Sequence, residues 1–84
     1  MKTFVLTAHA ATVMAERAIP LEWVARVLAA PTRIDTHATD ADLIHALGRI
    51  SEYGNRVLRV VYNSTVEPPA VVTTYFDRAM RAML

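Results

Sequence analysis

No cysteine occurs in the 84 residues, which excludes disulfides, thiol catalysis and thiolate-ligated zinc at once and makes a reducing cytoplasm the natural home. Glycine is nearly as scarce. With only Gly48 and Gly54 there is no glycine-rich loop to cradle a phosphate. A serine-nucleophile motif is missing too, and no apolar stretch carries the paired carboxylates of glycosidase-type chemistry. No apolar run approaches the roughly 20 residues a membrane span needs, so no membrane association is expected. Lysine is confined to Lys2, and the other eight of the nine basic residues are arginine. Arginine suits bidentate contact with phosphate.

What is present is mostly core. The chain is 54% hydrophobic and only 20% charged, which argues against a disordered arm and for one domain over residues 1–84. So much apolar surface is hard to hide in so short a chain, and it favours a partner or a self-association interface. The net charge of +1 makes a weak RNA binder unless the arginines gather on one face. Met1-Lys2 and the run that follows loosely imitate a signal peptide, but Thr7, His9 and Thr12 interrupt the apolar core. Secretion is not expected.

Lys2 to Leu6 reads as a short edge strand or extended lead-in. Thr7 then supplies a hydroxyl for the free amides of a first helical turn. Ala10, Val13, Met14 and Arg17 recur at helical spacing after it. His9 lies in that first turn, where the positive end of the helix dipole disfavours the imidazolium and leaves a base-competent ring. Pro20 starts a second helix with Val24, Val27 and Leu28 as its apolar stripe, Trp23 beside it, and Glu22 paired to Arg26 one turn on. Pro31 stops it.

From Arg33 the period changes from 3.6 to 2. Strands are expected over Arg33–His37, Leu43–Ile50, Arg56–Asn63 and Ala70–Phe76, with a turn signal at Gly54-Asn55 and a loop closed by Pro68 and Pro69. Asp77 to Leu84 reads as a short terminal helix or tail. The class is therefore α+β: two N-terminal helices packed on a four-stranded antiparallel meander. Strand alternation sends Arg56 and Arg59 to opposite faces, and places Thr73 and Tyr75 on one face. His37 and His45, with Asp35, Asp40 and Asp42, fit no metal-ligand spacing, so neither a metal nor a cofactor is expected.

Several stretches together resemble a known family. They are Leu6-Thr7-x-His9-Ala10-x-x-x-Met14-x-Glu16-Arg17-x-Ile19, Val24-x-x-Val27-Leu28-x-x-Pro31, Tyr53-Gly54-Asn55-Arg56-x-Leu58-x-Val60-Val61 and Val71-Val72-Thr73-x-Tyr75. In this order they resemble the bacterial "domain of unknown function 4258" family over about nine-tenths of the chain. The resemblance implies a small fold similar to the RelE/ParE and BrnT toxins of toxin–antitoxin systems. It further implies a metal-independent ribonuclease that cleaves RNA by acid/base chemistry, with an antitoxin protein as partner. Carried over by position, the family's polar marks fall on His9, Arg17, Arg56 and Thr73, with Tyr75 close by. Two positions depart from the pattern: Val13 replaces a common arginine, and Ala18 replaces a common glycine.

Metal-free RNA cleavage needs a proton acceptor, a proton donor and cations that stabilise the phosphorane. His9, Arg56 and Thr73 are the expected catalytic residues. Arg17, Arg49, Arg59 and Tyr75 are the expected substrate contacts. The alternative is a non-catalytic relative that keeps the fold as a protein-binding or assembly module. Convergence of His9, Arg56 and Thr73 on one cleft separates the two.

Overall fold

The structure, a computed structural model, describes residues 3–84. The lead-in contains a two-residue strand, β1 (Val5–Leu6); the Lys2 end of the expected strand lies outside the described residues. Helix α1 (Ala8–Arg17) opens where Thr7 turns extended and its Oγ1 accepts from the Ala10 amide at 3.1 Å. It closes without a glycine. Ala18 takes up φ 54°, and the Ile19 amide reaches back to the Met14 carbonyl at 2.9 Å, which satisfies a helix-end acceptor. Ile19 and Met14 are both buried in the core, so this turn also fixes the corner between the helices. Helix α2 (Leu21–Ala29) follows directly, with Pro20 as its extended N-cap.

Four strands come next: β2 (Arg33–Thr36), β3 (Leu43–Ile50), β4 (Arg56–Asn63) and β5 (Ala70–Phe76). They pair antiparallel in sequence order, as expected. The four-stranded, all-antiparallel sheet needs correction, however, because β1 adds a fifth strand, parallel to β5, and the order is β1-β5-β4-β3-β2. Val5 donates to the Pro69 carbonyl and Thr7 to the Val71 carbonyl, both at 3.0 Å. Two residues are too few to show a period in sequence, and their partner lies at the far end of the chain.

One face of the sheet carries the helices. Ala46, Ile50, Leu58, Val60 and Val71 meet Ala10, Met14, Val24, Val27 and Leu28 there. Close approach of α2 depends on Gly48, where an added Cβ would lie 3.2 Å from a Val27 methyl. An extra residue in β5 shifts the register between Val61 and Tyr62, so that Val71 joins Thr74 on the helix side. Thr74 is fully buried, and its hydroxyl donates to the Arg59 carbonyl at 2.9 Å.

The second face is covered in part by the C-terminal segment. Where a short terminal helix or tail is expected over Asp77 to Leu84, the chain makes one 3₁₀ turn (Arg78–Met80) capped by Asp77 and then further turn, and Met80 and Leu84 pack on Leu47 and Val57. Arg26 pairs with Glu52 and not with Glu22, the partner expected one turn away. Both of its terminal nitrogens donate to Glu52 at 2.7 Å, because the 3₁₀ turn Ser51–Tyr53 presents a carboxylate square to the guanidinium fork. Those bonds hold the Glu52 carboxyl down at about 2.

Candidate functional site: an arginine cleft and a histidine chain behind it

Arg56 is the first residue of β4 and Phe76 the last of β5, and the ladder between these strands is extended by an Asp77 amide bond to the Val57 carbonyl at 2.9 Å. The chain then turns back on itself through Arg78 and Arg81. Together Arg56, Val57, Phe76, Asp77, Arg78 and Arg81 line a cleft of about 280 Å³. Arg81 is steadied by donation to the Gly54 carbonyl at 3.1 Å, in a turn where Gly54 (φ 65°) and Asn55 (φ 57°) are both left-handed. Arg56 lies over the Tyr53 ring, 4.4 Å from its centroid.

Asp77 is the one carboxylate among the described lining residues, and it is already engaged. Its Oδ2 accepts from Arg59 Nε at 2.9 Å and from Nη2 at 2.8 Å, while Oδ1 accepts from the Met80 amide at 3.3 Å. With Asp77 neutralised by Arg59, the other three guanidiniums give the cleft a surplus of positive charge. That is the chemistry of an anion site.

Arg59 links the cleft to the second face. Its Nη1 donates to His45 Nδ1 at 2.8 Å, and His45 Nε2 lies 2.8 Å from His37 Nδ1. Arginine has no acceptor, so Nδ1 of a neutral His45 must be bare and its proton sits on Nε2, donated to His37. The two facing nitrogens are thus a donor and an acceptor. Burial holds the His45 pKa below its ordinary 6.5, reinforced by the charge of Arg59 and by His37 and opposed by Asp35, its partner across the strands.

The expected site residues are dispersed. His9 stands exposed on α1 in the helix layer, whereas Thr73 is half-buried beside Val61 on the opposite face, so the sheet separates them. Arg56 is in the cleft; His9 and Thr73 are not among its lining residues. Arg17 reaches the Thr74 carbonyl at 2.9 Å on the edge of β5 that β1 is too short to cover. Arg49 donates to the carbonyls of Asn55 (2.8 Å), Leu84 (2.9 Å) and Arg81, tying down the C-terminal segment. Arg59 is opposite in face to Arg56, as alternation requires, and Tyr75 is its cross-strand neighbour. Val13, where the resemblance leads one to expect an arginine, is buried and serves packing.

Three participants escape a reading of the sequence, Asp77, Arg78 and Arg81, and a fourth, His45, is read there only as a rejected metal ligand. The spacing of Asp77, Arg78 and Arg81 about one turn offered a signal, but only the fold of the C-terminal segment brings them to Arg56.

An α+β domain with helices on one face of a mixed five-stranded sheet, and an anion-suited cleft at one end of that sheet, is the class these features define. Residues 6–76 match the model of the family described as "Domain of unknown function (DUF4258)", and the chain belongs to that family. No curated protein and no solved structure matches it.

Proposed function

We propose that this is a small RNA-directed protein of the RelE/BrnT toxin type, and that it grips RNA phosphates in the arginine cleft. One observation carries the reading: Arg56, Arg78 and Arg81 line a single cleft in which the one carboxylate among the described lining residues, Asp77, is neutralised by Arg59. Clustering resolves the difficulty posed by a net charge of +1, because affinity for RNA follows the local number of phosphate contacts and not the total charge. Cleavage by acid/base chemistry asks for more, namely a base and an acid at the same phosphate. His9 and Thr73 lie elsewhere, so this reading assigns the cleft to binding and gives Arg56 the central part.

Binding of a labelled oligoribonucleotide tests the reading directly. Arg56→Ala, Arg78→Ala and Arg81→Ala are each expected to weaken it and to make it less salt-dependent. If none of the three does so, the cleft is not an RNA site. Growth arrest on induced expression adds a cellular measure, with Arg56→Ala expected to abolish it and His9→Ala to retain it.

The second reading is the non-catalytic protein-binding module. It is favoured by an open apolar trough of about 780 Å³ along α2, lined by Phe4, Leu21, Ala25 and Ala29 with Glu22 and Arg26 at its sides. Under that reading, Leu21→Glu changes the sedimentation behaviour of the protein and the cleft arginines leave it unchanged.

A further inference from the structure

We infer that the cleft takes single-stranded RNA, with one unstacked base lying on a platform made by Tyr53 and Arg56. The inference rests on the RNA reading above and adds the form of the ligand. Tyr53 stands at the end of the 3₁₀ turn before β4 and is 43% exposed, a large ring to leave in water. Its position is nevertheless held by two neighbouring rings. The Phe76 ring lies 5.0 Å away and the Trp23 ring 5.8 Å, and those two meet edge to face at 6.1 Å. Trp23 and Phe76 pack in turn against the core below the helices. Tyr53 is therefore a supported ring at the surface, not a loose one.

Arg56 and Phe76 belong both to this cluster and to the cleft lining, so the aromatic surface and the cationic surface are continuous. Packing alone accounts for Trp23 and Phe76, which are half-buried, but it leaves Tyr53 and the guanidinium over it unexplained. A planar guanidinium over a tyrosine ring is a stacking surface for a nucleobase, and phosphate-binding arginines beside a supported ring are how single strands are held without sequence readout. A duplex cannot use it. Its bases are paired and stacked, and the A-form major groove is too narrow to admit the side chains.

The experiment compares three polyanions on the intact protein: a fluorescein-labelled oligoadenylate, the same strand annealed to oligouridylate, and inorganic polyphosphate, which has phosphates but no bases. Trp23, the only tryptophan, reports stacking next to Tyr53 through its emission. The single strand is expected to bind roughly tenfold more tightly than the duplex, and to change Trp23 emission where polyphosphate does not. Tyr53→Ala removes that preference while leaving the slope of affinity against salt unchanged. Tyr53→Phe retains it, which separates stacking from any effect on folding. Arg56→Lys keeps the charge and loses the planar surface, so it follows Tyr53→Ala in preference. Equal binding of single strand and duplex by the wild type, or a preference that survives Tyr53→Ala, overturns the platform while leaving RNA binding standing. Failure of all three polyanions to bind overturns the RNA reading itself, and the platform with it.

Discussion

Arg59 Nη1 donates to His45 Nδ1 at 2.8 Å, a diagonal contact between β4 and β3 that decides where the histidine keeps its proton. A second proton on His45 would face a guanidinium that can only donate. The same bond continues through Arg59 to Asp77, so the second face of the sheet and the wall of the cleft share one hydrogen-bonded chain.

Acid should therefore weaken the fold through His45. Its folded pKa lies below the unfolded value of 6.5, so as pH falls past that value the unfolded chain binds a proton that the native chain refuses. This contribution is complete above the unfolded pKa and is lost as pH descends towards the folded one. Urea midpoints are expected to drop between about pH 7.5 and about pH 5.5. His45→Gln, whose amide offers both an acceptor and a donor but does not titrate, should flatten the slope; an unchanged slope would show that His45 is not responsible.

Breaking the ion pair is a stronger perturbation. The Arg59 and Asp77 side chains are only 13% and 17% exposed, so Asp77→Ala leaves a largely buried cation unpaired and uncaps the turn after it. The expected loss is roughly 2–3 kcal/mol, short of the full cost for a completely buried pair. Replacing both partners, with Arg59→Met added to Asp77→Ala, should recover part of it. A double mutant no more stable than the single would contradict the pairing argument.

The two ends of α1 give opposite expectations. Thr7→Ala removes the bond to the Ala10 amide and is expected to cost about 1 kcal/mol. Ala18→Gly should stabilise by about 0.5–1 kcal/mol, since a side chain at φ 54° is disfavoured and the gain exceeds the added freedom of the unfolded chain. Thermal unfolding of both variants checks the pair. It also tests whether a glycine, which the resemblance leads one to expect at this position, would serve the helix end.

At Gly48 the interest is in packing. Alanine there places a methyl 3.2 Å from a Val27 methyl, and Gly48→Ala is expected to destabilise by about 1–2 kcal/mol through overpacking. In the background of Val27→Ala the same substitution should cost much less. Additive losses in a double-mutant cycle would mean that the α2–β3 spacing is set elsewhere.

Local rules made much of the architecture legible. Thr7, Pro20 and Pro31 are punctuation with a stereochemical basis, and the change of period at Arg33 separates helices from strands in any context. Alternation likewise placed Arg56 and Arg59 on opposite faces, because side-chain direction in a strand is a property of the backbone. β1 was not legible as a parallel partner of β5, since a two-residue strand exists only through its neighbour. Arg26 chose Glu52 over Glu22 for a similar reason: the better geometry came from a turn distant in sequence.

The sequence by itself determined the class of fold, the two N-terminal helices and the antiparallel pairing of the successive strands β2 to β5. Only the tertiary structure decided which residues stand together. It put the sheet between His9 and Thr73, drew Arg78 and Arg81 back to Arg56, and joined His45 to Asp77 through Arg59. The division has a physical cause. Caps, periods and alternation act over a few residues, whereas a site is made by contacts across strands and from a C-terminal segment whose path is set by Arg49, by the burial of Met80 and by the packing of the partly buried Leu84.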